Sequence, residues 1–284
     1  MNITNIASPK LLKDARYWLL AIAAGLQAIC LTLVWKADDT GHLGMSLLFL
    51  FAIATLTWEK RHSLKFESGV LPSIVGIGLI GWVLWESANL ADGNIMRLLP
   101  FASAFGVALL ASGFKGLKQY KEELIILFFL GVPSVIASFL FDISPLTAKF
   151  SAFLLHYSGF DVSIQGVFIN LPNGGVEVTD ECSGIDTIIY TLSVSILALV
   201  MFPVHRSKQF FVPIVAIIIG FVINGIRVGM LAIFAASDKA AFENWHGGQA
   251  SYLYGMIGIL IFGCFYWLLL QQEEKSQNTG SSES

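Results

Sequence analysis

The sequence predicts an all-α polytopic membrane protein, with about eight transmembrane helices and a small extracytoplasmic helix and β-hairpin before the sixth span. Three observations predict it. Of 284 residues 55% are hydrophobic and only 13% charged, against about 45 to 50% and about 25% in soluble domains. Mean hydropathy is +0.71. Apolar runs approaching the ~20 residues that a helix needs to cross the hydrocarbon core recur along most of the chain.

The runs lie at about 17–35, 43–58, 69–90, 95–114, 122–141, 185–203, 209–236 and 249–270. The second is the shortest and needs flanking aromatic residues or local bilayer thinning to span. Lys10, Lys13 and Arg16 before the first run imitate a signal peptide, but no small-residue cleavage site follows Val34-Trp35-Lys36, so this span is expected to be retained. Five spans make an N-terminal transmembrane region, 1–141. Residues 142–184 break the rhythm. Ser144-Pro145 opens an amphipathic helical pattern (Leu146, Phe150, Phe153, Leu154, Tyr157) that stops at Ser158-Gly159 and suits a helix along the outer membrane face. Val162, Ile164, Val167 and Ile169 lead to Leu171-Pro172-Asn173-Gly174-Gly175, and Val176-Glu177-Val178 resumes the alternation, as in a β-hairpin delivering the chain to Cys182. Residues 185–270 form a C-terminal three-helix region, and the polar tail 271–284 is expected to be disordered.

Charge orients the bundle, because cytoplasmic loops hold the excess of Lys and Arg. An even number of spans puts both termini on one side, with Lys10, Lys13, Arg16, Lys60, Arg61, Lys65, Lys115, Lys118, Lys121, Arg206, Lys208 and Lys275. The other side has Lys36, Arg97, Lys149 and Lys239. Both termini are therefore expected in the cytoplasm. The net charge of -3 says little about partners, since acids cluster outside and bases inside. Three cysteines make no disulfide framework, and Cys30 and Cys264 lie inside spans as packing residues.

On the outer side three residue types converge. Cys182, in Glu181-Cys182-Ser183-Gly184-Ile185, precedes a span whose amino end faces outward, where backbone amides and the helix dipole favour a thiolate. Thr179 or Asp180 can cap that helix, while the adjacent Glu181 carboxylate opposes a second negative charge unless it points away. A small apolar residue at a helix start is the plain alternative. Arg227, in Asn224-Gly225-Ile226-Arg227-Val228-Gly229, lies nine residues, about 14 Å, below the outer end of its span. An unpaired charge there costs at least about 2.5 to 3.5 kcal/mol. Asn224 shares its face, and snorkelling or pairing with Asp186 or Glu181 is its structural alternative. His246, in Trp245-His246-Gly247-Gly248-Gln249, enters the last span and can exchange a proton near neutral pH, or simply sit beside a belt tryptophan.

Two other uses compete. Cys182, His246, His156 and an acid could ligate zinc, but no Cys-x-x-Cys, His-Glu-x-x-His or paired histidine spacing is present. His42, His62 and His205 fall in expected loops. A transporter or scaffold binding an anion at Arg227 is the non-enzyme alternative, although there is no inverted repeat and no second charge deep in a span.

The run Gly166-Val167-Phe168-Ile169-Asn170-Leu171-Pro172-Asn173-Gly174-Gly175-Val176-Glu177-Val178, then Cys182-Ser183-Gly184-Ile185, then Asn224-Gly225-Ile226-Arg227-Val228, then His246 before a final span, resembles the exosortase/archaeosortase family. The likeness extends upstream through Pro133 and Leu154-Leu155, covers roughly residues 125 to 260, and looks most like the cyanoexosortase type. It implies a membrane-embedded cysteine transpeptidase or protease of the cell inner (plasma) membrane, with its site on the extracytoplasmic side. Substrates would be exported proteins with a C-terminal sorting signal: a short motif such as Pro-Glu-Pro, an apolar helix and a basic tail. Cleavage through a thioester would pass the protein to a lipid amine, a polysaccharide amine or water; no cofactor, metal or nucleic acid is implied. On that model Cys182 matches the nucleophile, Arg227 the Asn-x-x-Arg arginine and His246 the third catalytic position, with Asn224, Ser183, Gly184 and Glu181 supporting them or contacting substrate. Glu181 departs from the small residue expected there.

Overall fold

The computed structural model describes residues 15–89, 93–247 and 251–281. Lys10, Lys13, Gly248 and Gln249, used above, lie outside the described residues. The order is α1 (Ala15–Lys36), α2 (Thr40–Lys60), α3 (Val70–Ala88), α4 (Gly93–Gly116), α5 (Lys121–Leu140), α6 (Ser144–Tyr157), β1 (Ser163–Gln165), β2 (Phe168–Leu171), β3 (Gly174–Glu177), α7 (Ile185–Met201), α8 (Arg206–Gln209), α9 (Phe211–Ser237), α10 (Lys239–His246) and α11 (Ser251–Ser281). Among the described residues seven helical stretches are long and apolar enough to cross a membrane. One of them, Gly93–Leu140, holds both the fourth and fifth expected spans. Gly113, at φ 63°, and the 3₁₀ turn Leu117–Tyr120 divide it.

Two compact units divide the chain, Met1–Val135 and Ile136–Ser284. In the first, Leu26, Cys30, Leu33, Val34, Val83, Met96 and Leu99 form the core. Polar groups staple its helices at both ends. Asp39 caps α2 through the His42 N–H and pairs with Arg97 at 3.3 Å, and Arg97 also donates to Ser134. Lys60 pairs with Glu123 at 2.7 Å. His42, expected in a loop, is instead fully buried in α2. Trp18, Trp35, Trp58 and Trp85 stand exposed near helix ends, as in an aromatic belt.

In the second unit α6 buries the face that water would leave outside. Thr147, Ala148, Ser151 and Ala152 are buried, while Leu146, Phe153 and Tyr157 are exposed. Small side chains let α6 run close along α9: Ser151 donates to the Gly225 carbonyl at 2.9 Å, and Leu155 lies beside Gly229. Its helical period is the expected one, but the apolar stripe is split: Leu146, Phe153 and Tyr157 turn away from protein, while Phe150 packs on Phe221 and Gly225 of α9. The expected hairpin is part of a three-stranded antiparallel sheet, β1-β2-β3. Gly166, at φ 64°, opens the turn between β1 and β2.

The tail also differs from expectation. α11 continues to Ser281 through the stretch whose composition suggested disorder. At the start of that stretch Glu273 accepts the His205 N–H at 2.9 Å and pairs with Lys208 at 3.3 Å, and the straight-chain residues Gln271 to Lys275 favour helix there.

Candidate active site

Cys182 reaches its place through two tight turns. After β3, Val178 is buried and Thr179 extended, and residues Asp180–Cys182 form a 3₁₀ turn closed by the Cys182 N–H on the Thr179 carbonyl at 2.9 Å. Gly184 then caps α7 at φ 95°. The expected side-chain caps, Thr179 and Asp180, make no such bond; Ser183 Oγ accepts the Ile185 N–H at 3.4 Å instead. Cys182 is 5% exposed and packs with Ile169, Val178, Val228 and Ala232. Glu181 next to it is exposed and forms no hydrogen bond or ion pair among the described residues. Successive residues of a 3₁₀ turn point about 120° apart, so the two side chains diverge.

His246 ends α10, a short helix where the sequence suggested a loop, begun by Asp238 accepting the Ala241 N–H at 3.0 Å. Its Nε2 lies 3.2 Å from Cys182 Sγ. Phe242, one helical turn earlier, stacks on the imidazole with centroids 5.1 Å apart and planes 13° apart. Trp245 is no belt residue: it packs between Phe234 and Tyr254.

Asn224 and Arg227, three residues apart on α9, clamp this pair by its backbone. Asn224 Nδ2 donates to the Cys182 carbonyl at 3.0 Å, and Arg227 Nη2 donates to the His246 carbonyl at 3.0 Å. Arg227 forms no ion pair with a carboxylate among the described residues, and Glu181 stands exposed. Its Nε and Asn224 Oδ1 are buried without a hydrogen-bond partner. Buried polar atoms left open in this way cost free energy unless something else satisfies them. A charged donor, an amide oxygen and a thiol–imidazole pair thus meet beside the middle of α9, an arrangement that fits proton transfer beside an oxyanion.

A family model described as Transmembrane exosortase matches residues 35–265. The chain belongs to the transmembrane exosortase family. Neither a curated protein nor a solved structure matches it. This exosortase is a multi-pass membrane protein, and the matched range contains every residue of the site just described.

Of the exosortase's sequence-derived candidates, Cys182, Asn224, Arg227 and His246 come together. Ser183 is buried beneath them, donating to the Asp180 carbonyl, and its own carbonyl accepts Thr147 Oγ1 at 2.6 Å. His156 is exposed on α6 with its ring edge on Tyr157, away from any cluster of three potential metal ligands among the described residues. Sequence reasoning missed Phe242 and Tyr254. Phe242 was readable as the residue one turn before His246 on a helix; Tyr254, which packs on Trp245 and donates to Met230 Sδ at 3.4 Å, gave no local signal.

Gly184 is tightly enclosed, for an added Cβ would lie 2.4 Å from Asn224 Nδ2. Gly184→Ala costs about 1 to 3 kcal/mol for its positive φ and pushes the Asn224 amide off the Cys182 carbonyl. The expected outcome is a lower thermal midpoint for the purified exosortase, whereas Gly247→Ala, with open space around it, leaves the midpoint unchanged.

Proposed function

We propose that this exosortase is a membrane-embedded cysteine transpeptidase that cleaves the C-terminal sorting signal of exported proteins and transfers the protein to an envelope acceptor. The observation that carries the reading is the 3.2 Å approach of Cys182 Sγ to His246 Nε2, with both residues held by one helix. Nε2 takes the thiol proton, and the thiolate adds to the scissile carbonyl carbon. Arg227 donates to the resulting oxyanion from the face its Nε leaves unused, while Nη2 keeps His246 in place. Collapse breaks the C–N bond, and the imidazolium returns its proton to the leaving amine. A thioester remains on Cys182. A lipid amine, polysaccharide amine or water then attacks it, His246 again takes the proton, and the thiol is regenerated.

The distribution of basic residues supports both termini in the cytoplasm and the site on the extracytoplasmic side of the inner membrane. Exposed Glu181 leaves the thiolate without an adjacent buried carboxylate.

A membrane-impermeant maleimide tests the nucleophile and its side together. In a Cys264→Ala background, which removes the exposed thiol, the reagent added outside intact cells labels Cys182, and His246→Ala slows that labelling. Labelling only after the cytoplasmic face is opened rules out the orientation, and a thiol inert from both faces rules out the nucleophile.

A further inference from the structure

We propose that the outer edge of β3 binds an extended segment of the peptide substrate by strand addition and leads it to Cys182. The inference rests on Cys182 being the nucleophile. The pairing phase decides which backbone groups are free. Val178 donates to the Val167 carbonyl at 3.0 Å, which makes that pair hydrogen-bonded. Antiparallel alternation then makes Ile169 with Val176, and Leu171 with Gly174, the next bonded pairs. Asn170 with Gly175, and Phe168 with Glu177, are the pairs between them. Gly175 and Glu177 therefore aim their N–H and C=O groups away from β2, at the side where the order β1-β2-β3 leaves no strand.

That side is open. Gly175 and Glu177 are exposed, and no hydrogen bond from another element reaches their main chain among the described residues. Natural sheets blunt such edges with short strands, charged side chains, Pro or a covering segment; Gly174–Glu177 is short and carries one charge, Glu177, but has no Lys, Pro or covering strand. Gly175 offers bare backbone, and an added Cβ would lie 2.4 Å from the Ile169 carbonyl. The occupant follows from where the strand goes. Val178, next after Glu177, packs in the same cluster as Cys182, and the turn Asp180–Cys182 comes straight after. The opposite edge, on β1, presents only the Ile164 groups and leads back to α6. Strand addition draws affinity from main-chain hydrogen bonds, so it suits an enzyme whose substrates share little beyond a short motif.

Because main-chain pairing is indifferent to sequence, a tetra-alanine chloromethyl ketone serves as the probe; the thiolate displaces chloride and forms a C–S bond. The full chain in nanodiscs is alkylated with this reagent and with iodoacetamide, each rate corrected by Cys182→Ala. The peptide reagent should gain about ten-fold relative to iodoacetamide, the worth of one or two net hydrogen bonds. N-methylation of its amides should cancel the gain at alternate positions. Glu177→Pro, which removes an outward N–H and spares the bonds to β2, should also cancel it at an unchanged iodoacetamide rate; Glu177→Ala should keep it. If Glu177→Pro changes the iodoacetamide rate as well, the N-methyl series on the unaltered chain decides. A flat series overturns the inference while leaving the nucleophile standing, and so does an edge occupied by a second copy, seen as a dimer with a flat series. A Cys182 inert to both reagents overturns the proposed function and the inference with it.

Discussion

Cys182→Ala leaves a precursor ending in a sorting motif, apolar helix and basic tail uncut, while the amount of the variant in the membrane stays normal. Loss of the nucleophile from a thiol–imidazole pair is expected to cost at least about 10³-fold in rate. Folding should hardly notice. The side chain lies among Ala148, Ala152, Ile169, Val178, Val228 and Ala232, and removing one sulfur from such a cluster costs about 1 kcal/mol or less. The contacts that fix the turn are main-chain bonds, including the Cys182 N–H to Thr179 and the Asn224 amide on the Cys182 carbonyl, and alanine keeps both. Cys182→Ser separates chemistry from shape further: it nearly preserves volume and hydrogen bonding but replaces the thiol with a far weaker nucleophile, so the precursor again stays intact. Normal processing by either variant in immunoblots of exported reporter would sink the proposed chemistry.

How much of this was legible in the sequence depends on the range of the interaction. The spans were readable because hydropathy is a local property, and even the merged Gly93–Leu140 stretch divides at a glycine that takes a positive φ. The period of α6 was also readable, from Leu146, Phe153 and Tyr157. Which side of it is buried was not, because in a lipid setting small side chains such as Thr147 and Ser151 can pack while Leu146, Phe153 and Tyr157 stay outside. β1 escaped because all three of its residues are exposed and only pairing to β2 holds them. The contact at the start of the tail helix escaped because it ties Glu273 to His205, 68 positions away in sequence.

The site divides in the same way. The spacing of Asn224 and Arg227 placed them on one helix face, and the cost of an unpaired membrane charge marked Arg227 as exceptional. What they hold was invisible. Their partners are the carbonyls of Cys182 and His246, 42 and 19 positions away, and every residue type carries a carbonyl. On the proposed chemistry Arg227 serves the oxyanion, and its bond to the His246 carbonyl adds a positioning role to that proposal.

That double role makes Arg227→Lys the sharpest test of mechanism against an anion-binding transporter or scaffold. Lysine keeps the charge but offers a single ammonium in place of a planar fork, so it can hold the His246 carbonyl or face the substrate oxygen, not both. Processing is expected to fall by about 10² to 10³-fold, the usual loss of one preorganised oxyanion donor, with Arg227→Ala at or beyond that level. A site that merely attracts an anion tolerates the exchange, since charge and approximate reach survive. The two contributions of Arg227 are separable by a double-mutant cycle with His246→Ala. Once His246 is gone, the bond to its carbonyl orients nothing that reacts, so Arg227→Ala should cost less than it does in the unaltered chain. Strictly additive losses in single-turnover cleavage would confine Arg227 to the oxyanion and remove its positioning role; retention of full activity by Arg227→Lys would favour the anion-binding reading over catalysis.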